Sequence, residues 1–227
     1  MFETYSLLAL QQYWWVLISL LGGLLVALMF VQGGQTLIYQ AGKTDMERTM
    51  IVNALGHKWE LTFTTLVVFG GAFFASFPLF YATSFGGAYW VWMIILFFFV
   101  IQAVSYEFRT KAGNLLGQRT YQNFLLINGI GAPLFLGVAV ASFFTGSQFV
   151  LNSDPTSGIL TPQWMGGFGG LELAFDLSNY TTYINLSLGV ALVFLTRILG
   201  AMFIKGNIDS PEIIARTAKT VRHEAPF

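Results

Sequence analysis

The sequence predicts an all-α, polytopic transmembrane helical bundle, and three observations lead to that fold class. Of the 227 residues, 55% are apolar and 10% are charged, whereas about a quarter of the residues of a soluble domain are charged. Five apolar stretches each reach the roughly 20 residues of helix that cross a hydrocarbon core of about 30 Å. The stretches are continuous, without the alternating pattern of an outer-membrane β-barrel. We expect a single transmembrane domain over residues 1–227, with spans at about 13–31, 61–83, 87–106, 121–144 and 183–204.

The first span begins with three aromatic residues, Tyr13, Trp14 and Trp15, of the kind that anchor a helix end at the membrane surface. The segment from Met1 to Gln12 contains no Lys or Arg, so it lacks the basic region of a cleaved signal peptide. The first span is therefore expected to be retained.

The remaining spans are separated by segments of different character. A polar segment (33–60) precedes the second span, a short turn (84–86) precedes the third, a basic segment (107–119) precedes the fourth, and a Gly- and Pro-rich loop (146–182) precedes the fifth. Small residues in the second and fourth spans have spacings that let helices approach closely, and these residues are Gly70, Gly71, Ala75, Gly137 and Ala141.

The Lys and Arg residues predict the orientation, because they concentrate in short cytoplasmic segments. Ten of them fall in segments that five spans would place on one side: Lys43, Arg48, Lys58, Arg109, Lys111, Arg119, Lys205, Arg216, Lys219 and Arg222. The opposite side has none. The N-terminus is therefore predicted outside, in a multi-pass membrane protein.

Composition excludes several kinds of site. The formal net charge is zero and no basic cluster is present, which argues against nucleic-acid binding. The chain has no Cys, and its two histidines, His57 and His223, lie outside the predicted spans, so no metal site and no bis-histidine haem between helices is expected within this chain. The glycine-rich run 166–170 is interpreted as a flexible outside loop, with a binding role as the alternative.

Ionisable residues near the membrane are the candidates for function, because an unpaired charge there is costly. Glu60, which follows Trp59, is either a carboxylate favoured by a helix N-terminus or a proton acceptor. Glu107 and Arg109 form either a juxtamembrane ion pair or part of a functional site. Arg197 lies within the last span and either extends to the headgroups or has a functional role.

Several sequence stretches resemble subunit II of cytochrome bd quinol oxidases. The likeness runs over nearly the whole chain and is strongest between residues 45 and 111. It rests on the order and spacing of Asp45-Met-Glu-Arg-Thr, Asn53-Ala-Leu-Gly-His-Lys-Trp-Glu60, Gly70-Gly-Ala-Phe-Phe-Ala-Ser-Phe-Pro-Leu-Phe-Tyr-Ala-Thr83 and Tyr106-Glu-Phe-Arg-Thr-Lys111. The pair Trp14–Trp15 and the run Gly200-Ala-Met-Phe-Ile-Lys205 are also similar to that subunit.

The resemblance implies a haem-free subunit of an electrogenic terminal oxidase that oxidises a membrane quinol and reduces oxygen to water. Haem b and haem d would belong to the partner, subunit I, and the implied roles of this chain are assembly and proton supply. Trp59 and Glu60 match the family's aromatic–acid pair on a proton path, and Glu107 is a further proton-path candidate. Arg109, Lys111 and Arg197 are the structural or ion-pair candidates. The resemblance also allows a structural quinone, a small accessory subunit and membrane lipid as partners, and it implies a bacterial cytoplasmic (inner) membrane.

The sequence departs from the family pattern at two carboxylates of the first span. The usual Asp-Gly-Phe-Asp reads Gln32-Gly-Gly-Gln35 here, so two acids are replaced by amides that cannot carry a proton as acids. Family members also continue for about three further spans, so the chain is expected to be the N-terminal part of a longer subunit. A secondary transporter or channel-like subunit is the alternative function, and a purely structural partner is a third.

Overall fold

The computed structural model describes residues 6–153 and 159–224, so residues 154–158 of the predicted long loop lie outside the described part. The described residues form eleven helices and one β-hairpin. In chain order the helices are α1 (Leu7–Leu28), α2 (Phe30–Thr36), α3 (Ile38–Ala41), α4 (Asp45–Gly56), α5 (Trp59–Ser76), α6 (Pro78–Gly87), α7 (Tyr89–Phe108), α8 (Gln118–Thr145), α9 (Glu172–Phe175), α10 (Tyr180–Asn207) and α11 (Pro211–Glu224). Strands β1 (Phe149–Ser153) and β2 (Leu160–Trp164) pair antiparallel between α8 and α9.

Five helical segments in the described residues are long and apolar enough to cross a membrane, which confirms the predicted all-α bundle of about five spans. They are Leu7–Thr36, Asp45–Ser76, Tyr89–Phe108, Gln118–Thr145 and Tyr180–Asn207. The first joins α1 to α2 and the second joins α4 to α5. Both begin or end in the polar segment 33–60, which is therefore largely helical.

The centre of the bundle is formed by α2, α7, α8 and α10, which we call the packed core. Its helices come close together because glycines lie at the crossings. A Cβ on Gly33 of α2 would lie 1.6 Å from the Thr196 carbonyl oxygen of α10, and a Cβ on Gly200 of α10 would lie 2.1 Å from the Gly34 backbone nitrogen. Any larger side chain would force these backbones apart, so glycine is required at both positions.

Helices α1 and α5 pack against each other beside this core, and we call them the peripheral pair. Aromatic rings make the contact, with Phe73 of α5 at its centre and Trp15 of α1 packed edge-on at 6.3 Å between centroids. Cavities of about 660 Å³ and 540 Å³ lie beside Phe73 and reach the packed core. The peripheral pair is thus much less closely packed than the core.

The stretch predicted as one span over 61–83 is divided in the structure. Helix α5 ends at Ser76, Phe77 takes a non-helical conformation (φ −133°, ψ 73°), and α6 begins at Pro78. Proline lacks a backbone N–H and disfavours helical geometry in the preceding residue, which explains the break. The turn predicted at 84–86 is instead part of α6, and the chain turns at Ala88.

The end of the bundle that carries α4, the segment 109–117 and α11 is called the basic end. Helix α4 begins with a capping box, in which the Thr44 side chain accepts from the Glu47 backbone and the Glu47 carboxylate accepts from the Thr44 backbone. The same carboxylate accepts from Arg216 of α11 at 2.9 Å. Helix α11 is therefore attached to α4 as well as to α10, against which it packs through buried Ile213.

Candidate functional site

Buried and partly buried polar side chains gather between α2, α7 and α8 in two hydrogen-bonded sets, which together we call the amide column: Gln32 with Gln102, and Gln35 with Tyr106 and Asn128. Gln32 and Gln35 are three residues apart on one face of α2, and Gln102 and Tyr106 are four apart on one face of α7. The three glutamines and Asn128 have 0% exposed area. Helical spacing on two facing helices thus brings these side chains together.

Hydrogen bonds join the members of the amide column. Gln32 Nε2 donates to Gln102 Oε1 at 3.3 Å, Asn128 Nδ2 donates to Gln35 Oε1 at 2.7 Å, and Gln35 Nε2 donates to the Tyr106 hydroxyl at 3.0 Å. Three further column atoms have no partner within the described residues, namely Gln32 Oε1, Gln102 Nε2 and Asn128 Oδ1. Two of these atoms are acceptors and one is a donor, so the column can still accept hydrogen bonds at two atoms and donate one at the third.

Tyr106 also connects the amide column to the peripheral pair. Its ring stacks on Trp59 of α5, with centroids 5.9 Å apart and planes 12° apart. Trp59, predicted from sequence as a proton-path residue, therefore lies against the column through its ring rather than through a hydrogen bond. Sequence reasoning did not assign this role to Tyr106.

Arg109 lies at the basic end, just beyond α7, and is only 4% exposed. Its Nη2 donates to Asn53 Oδ1 at 2.9 Å, while Nη1 has no partner among the described residues, and no described carboxylate lies within ion-pair distance. Burial lowers the pKa of the Arg109 guanidinium from its ordinary value, because loss of water disfavours the charged form. The last turn of α4, which carries Asn53, and the end of α7 both bring helix C-termini to this cation, which their dipoles favour.

The structure separates the predicted carboxylates from the amide column. Glu60 lies in the first turn of α5 with its side chain exposed, and Glu107 is exposed and pairs with Lys111. The ion pair considered from the sequence, between Glu107 and Arg109, does not form. Glu107 instead pairs with Lys111, one helical turn further along, and Arg109 points inward to Asn53. Neither acid contributes to the column.

Arg197 is held by several partners instead of extending to the headgroups alone. It donates to both carboxylate oxygens of Glu224 in α11, with Nη2 2.7 Å from Oε1 and Nε 3.0 Å from Oε2. It also donates to Thr36 Oγ1 of α2 at 2.7 Å and to Gln40 Oε1 of α3 at 2.9 Å. Glu224 was not a sequence candidate, since it lies 20 residues beyond residue 204, where the last predicted span ends.

At the opposite end the glycine-rich run 166–170, predicted as a flexible loop, is organised by one carboxylate. Glu172 accepts from the Trp164 indole N–H at 2.6 Å, and from the backbone N–H groups of Phe168 and Gly170 at 3.2 and 3.0 Å. Trp164 also lines the larger cavity. Within the described residues, no group of three or more His, Cys, Asp or Glu side chains could hold a metal ion.

Comparison with known proteins gives one consistent result. The family profile described as cytochrome bd terminal oxidase subunit II matches residues 10–225. A probable cytochrome oxidase subunit 2 of Haemophilus influenzae is 32% identical over 144 residues, which cover 63% of this chain and 38% of that protein.

Two further relatives are similar to the chain at comparable levels. The cytochrome bd-I ubiquinol oxidase subunit 2 of Escherichia coli K12 is 29% identical over 62% of this chain and 37% of its own length. The cytochrome bd ubiquinol oxidase subunit 2 of Bacillus subtilis is 28% identical over 61% and 41%, respectively. The matched regions span about two fifths of these relatives. Because the family profile covers nearly the whole chain, the chain belongs to the cytochrome bd terminal oxidase subunit II family.

Proposed function

We propose that the chain acts as the haem-free subunit II of a cytochrome bd-type quinol oxidase, which oxidises a membrane quinol and reduces oxygen to water. The match to the subunit II family over residues 10–225 carries this proposal. Haem b and haem d would be held by subunit I. The residues of this chain suit that division, since His57 and His223 are both exposed at the basic end and helices α1, α2, α5, α7, α8 and α10 contain no histidine to ligate a haem.

The basic end is the proposed cytoplasmic end, with the N-terminus outside. The hydrogen bonds of Gln118 to Thr49 and of Arg216 to Glu47 bring the three basic segments together at one end of the bundle. The absence of Cys from the chain makes a direct test simple. A cysteine at Asn114 should react with a membrane-impermeant maleimide only in inverted vesicles, and one at Gln163 only in right-side-out vesicles. The reverse pattern would contradict the orientation.

Proton supply is assigned to the surface of α5 rather than to the interior. Glu60 shares an exposed face of α5 with Thr64, Gly71 and Ala75, which are 4, 11 and 15 residues further along the helix. Small residues let a partner helix approach closely. A partner subunit packed on this face would take the Glu60 carboxyl out of water and place a proton acceptor at the contact between the subunits.

A reduced-minus-oxidised difference spectrum of the complex purified through a tag on this chain tests the proposal. Bands of haem b and haem d in the purified complex would support it, and a haem-free complex would contradict it. Quinol-driven oxygen consumption of a Glu60→Gln complex then tests the proton role, with Glu212→Gln as the matched loss of an exposed carboxylate. We expect a reduced rate with Glu60→Gln alone. Equal rates would favour a purely structural subunit.

A further inference from the structure

We propose that Glu224 is a positioning residue, which acts through Arg197 and Thr36 to hold the glutamines of α2 in the amide column. This inference concerns the column itself and does not depend on the proposed oxidase activity. Arg197 connects these residues. One guanidinium contacts α2, α3 and α11, and its fork geometry matches the two oxygens of Glu224.

The carboxylate of Glu224 determines how the Arg197 guanidinium is turned. The side chains of both residues are largely buried, with 16% of Arg197 and 15% of Glu224 exposed, so water competes weakly for the pair. Two parallel N–H to oxygen bonds fix the plane of the guanidinium. With Nε and Nη2 directed to Glu224, Nη1 is the nitrogen that reaches Thr36.

Thr36 transmits this arrangement to the backbone of α2. Its hydroxyl accepts from Arg197 and donates to the Gly33 carbonyl at 2.6 Å. One side chain therefore joins Arg197 to the backbone of Gly33, which lies between Gln32 and Gln35 in the sequence. Gly33 is also the point at which α2 meets the backbone of α10. A rotation or a slide of α2 at this crossing would displace both glutamines, since they lie one residue before and two residues after Gly33.

Helix α11 is held firmly enough to act as the fixed point. Gln40 donates to Thr220 at 3.2 Å, Arg216 donates to Glu47 and to the Ala41 carbonyl, and Ile213 is buried in the apolar cluster at the basic end. Glu224 therefore belongs to a helix that is already attached to α3 and α4. The ion pair with Arg197 adds a polar connection to α10 and, through Thr36, to α2.

The fluorine NMR resonance of 3-fluorotyrosine placed at position 106 would test the proposal in the complex purified from its native membrane. The Tyr106 hydroxyl accepts from Gln35, so the resonance reports the position of α2. A Gln35→Leu complex shows how far the resonance moves when that contact is lost. We expect Glu224→Gln and Thr36→Val each to shift the resonance in the same direction by more than its linewidth.

Two conservative variants serve as controls. Thr36→Ser keeps the hydroxyl and should leave the resonance in place, whereas Thr36→Val removes only the hydrogen bonds. Glu212→Gln makes the same chemical change as Glu224→Gln on the exposed first turn of α11 and should have no effect. An unmoved resonance in either Glu224→Gln or Thr36→Val, with Gln35→Leu moving it, would overturn the proposal. Equal shifts with Glu212→Gln would overturn it too.

Discussion

The packed core and the peripheral pair differ in how their helices make contact. In the core, glycines bring backbones together and amide side chains bond across the helices, and α8 has 13 buried residues. In the peripheral pair, aromatic rings make the contact, and α1 and α5 have two buried residues each. Apolar side chains gain little by leaving lipid for another apolar surface, so close packing and hydrogen bonds must hold the core. The peripheral pair retains surface for a partner.

Gly33→Ala should have the largest effect and would break the close contact of the core. A Cβ 1.6 Å from the Thr196 carbonyl oxygen requires α2 and α10 to separate, and such overpacking costs roughly 3 kcal/mol. We expect a marked fall in the melting temperature of the purified complex. Size-exclusion chromatography of samples heated to increasing temperatures measures this fall. Gly23→Ala is the matched change in α1, where no atom lies within 4 Å of the added Cβ. A similar loss with Gly23→Ala would remove the distinction between the two regions.

Gln32→Leu should have the next largest effect, because it leaves the Gln102 amide buried without its partner. The expected loss is about 1–3 kcal/mol, and Gln102→Leu should cost a similar amount. The double variant should recover much of the loss, since an apolar pair leaves no amide unpaired. A double-mutant cycle on thermal stability measures this coupling. Strictly additive losses would show that the amide pair does not stabilise the core.

Trp59→Leu should have a moderate effect, since its ring connects the peripheral pair to the amide column. Loss of the stack on Tyr106 is expected to cost about 1 kcal/mol beyond the lost burial. Trp59→Phe keeps a ring and should retain part of the stability. Thermal stability of the two purified variants, compared at equal protein concentration, provides the measurement. If the two variants were equally unstable, stacking would not be the contribution of Trp59.

Glu107→Gln should have the smallest effect, because its pair with Lys111 is exposed. Both side chains are more than half exposed, at 60% and 52%, and such pairs contribute no more than about 0.5 kcal/mol. The melting temperature should therefore stay close to that of the unchanged complex at low and at high salt. A large, salt-dependent fall would mean that Glu107 has a partner other than Lys111 in the assembled complex.

The sequence predicts the spans well, because length and hydropathy are local properties. The divided second span shows the limit of that reasoning. Pro78 signals a break by its missing N–H, yet the apolar stretch continues through it, and hydropathy alone does not separate α5 from α6. A continuous helix and a divided one would present equally apolar side chains to lipid. The backbone restriction imposed by Pro78, and not hydropathy, therefore determines where α5 ends.

The candidate site is only partly accessible to sequence reasoning. Gln32 and Gln35 attract notice as departures from a family pattern, and Gln102 and Asn128 are polar residues within apolar spans, a signal that points to interhelical contacts. The pairing among them depends on which helices are neighbours. The partner of Arg197 is still harder to predict. Glu224 belongs to α11, and the turn between α10 and α11 places it beside Arg197 of α10.

The bond between Arg197 and Thr36 also bears on the order in which the chain assembles during synthesis. The two residues are 161 positions apart, and α10 is the fourth membrane-spanning helix to follow α2 into the bilayer. Until α10 leaves the translocation machinery, the glycine face of α2 has no neighbour on that side. A chain that ended before Thr196 would therefore lack the helix that covers Gly33 and the cation that bonds to Thr36.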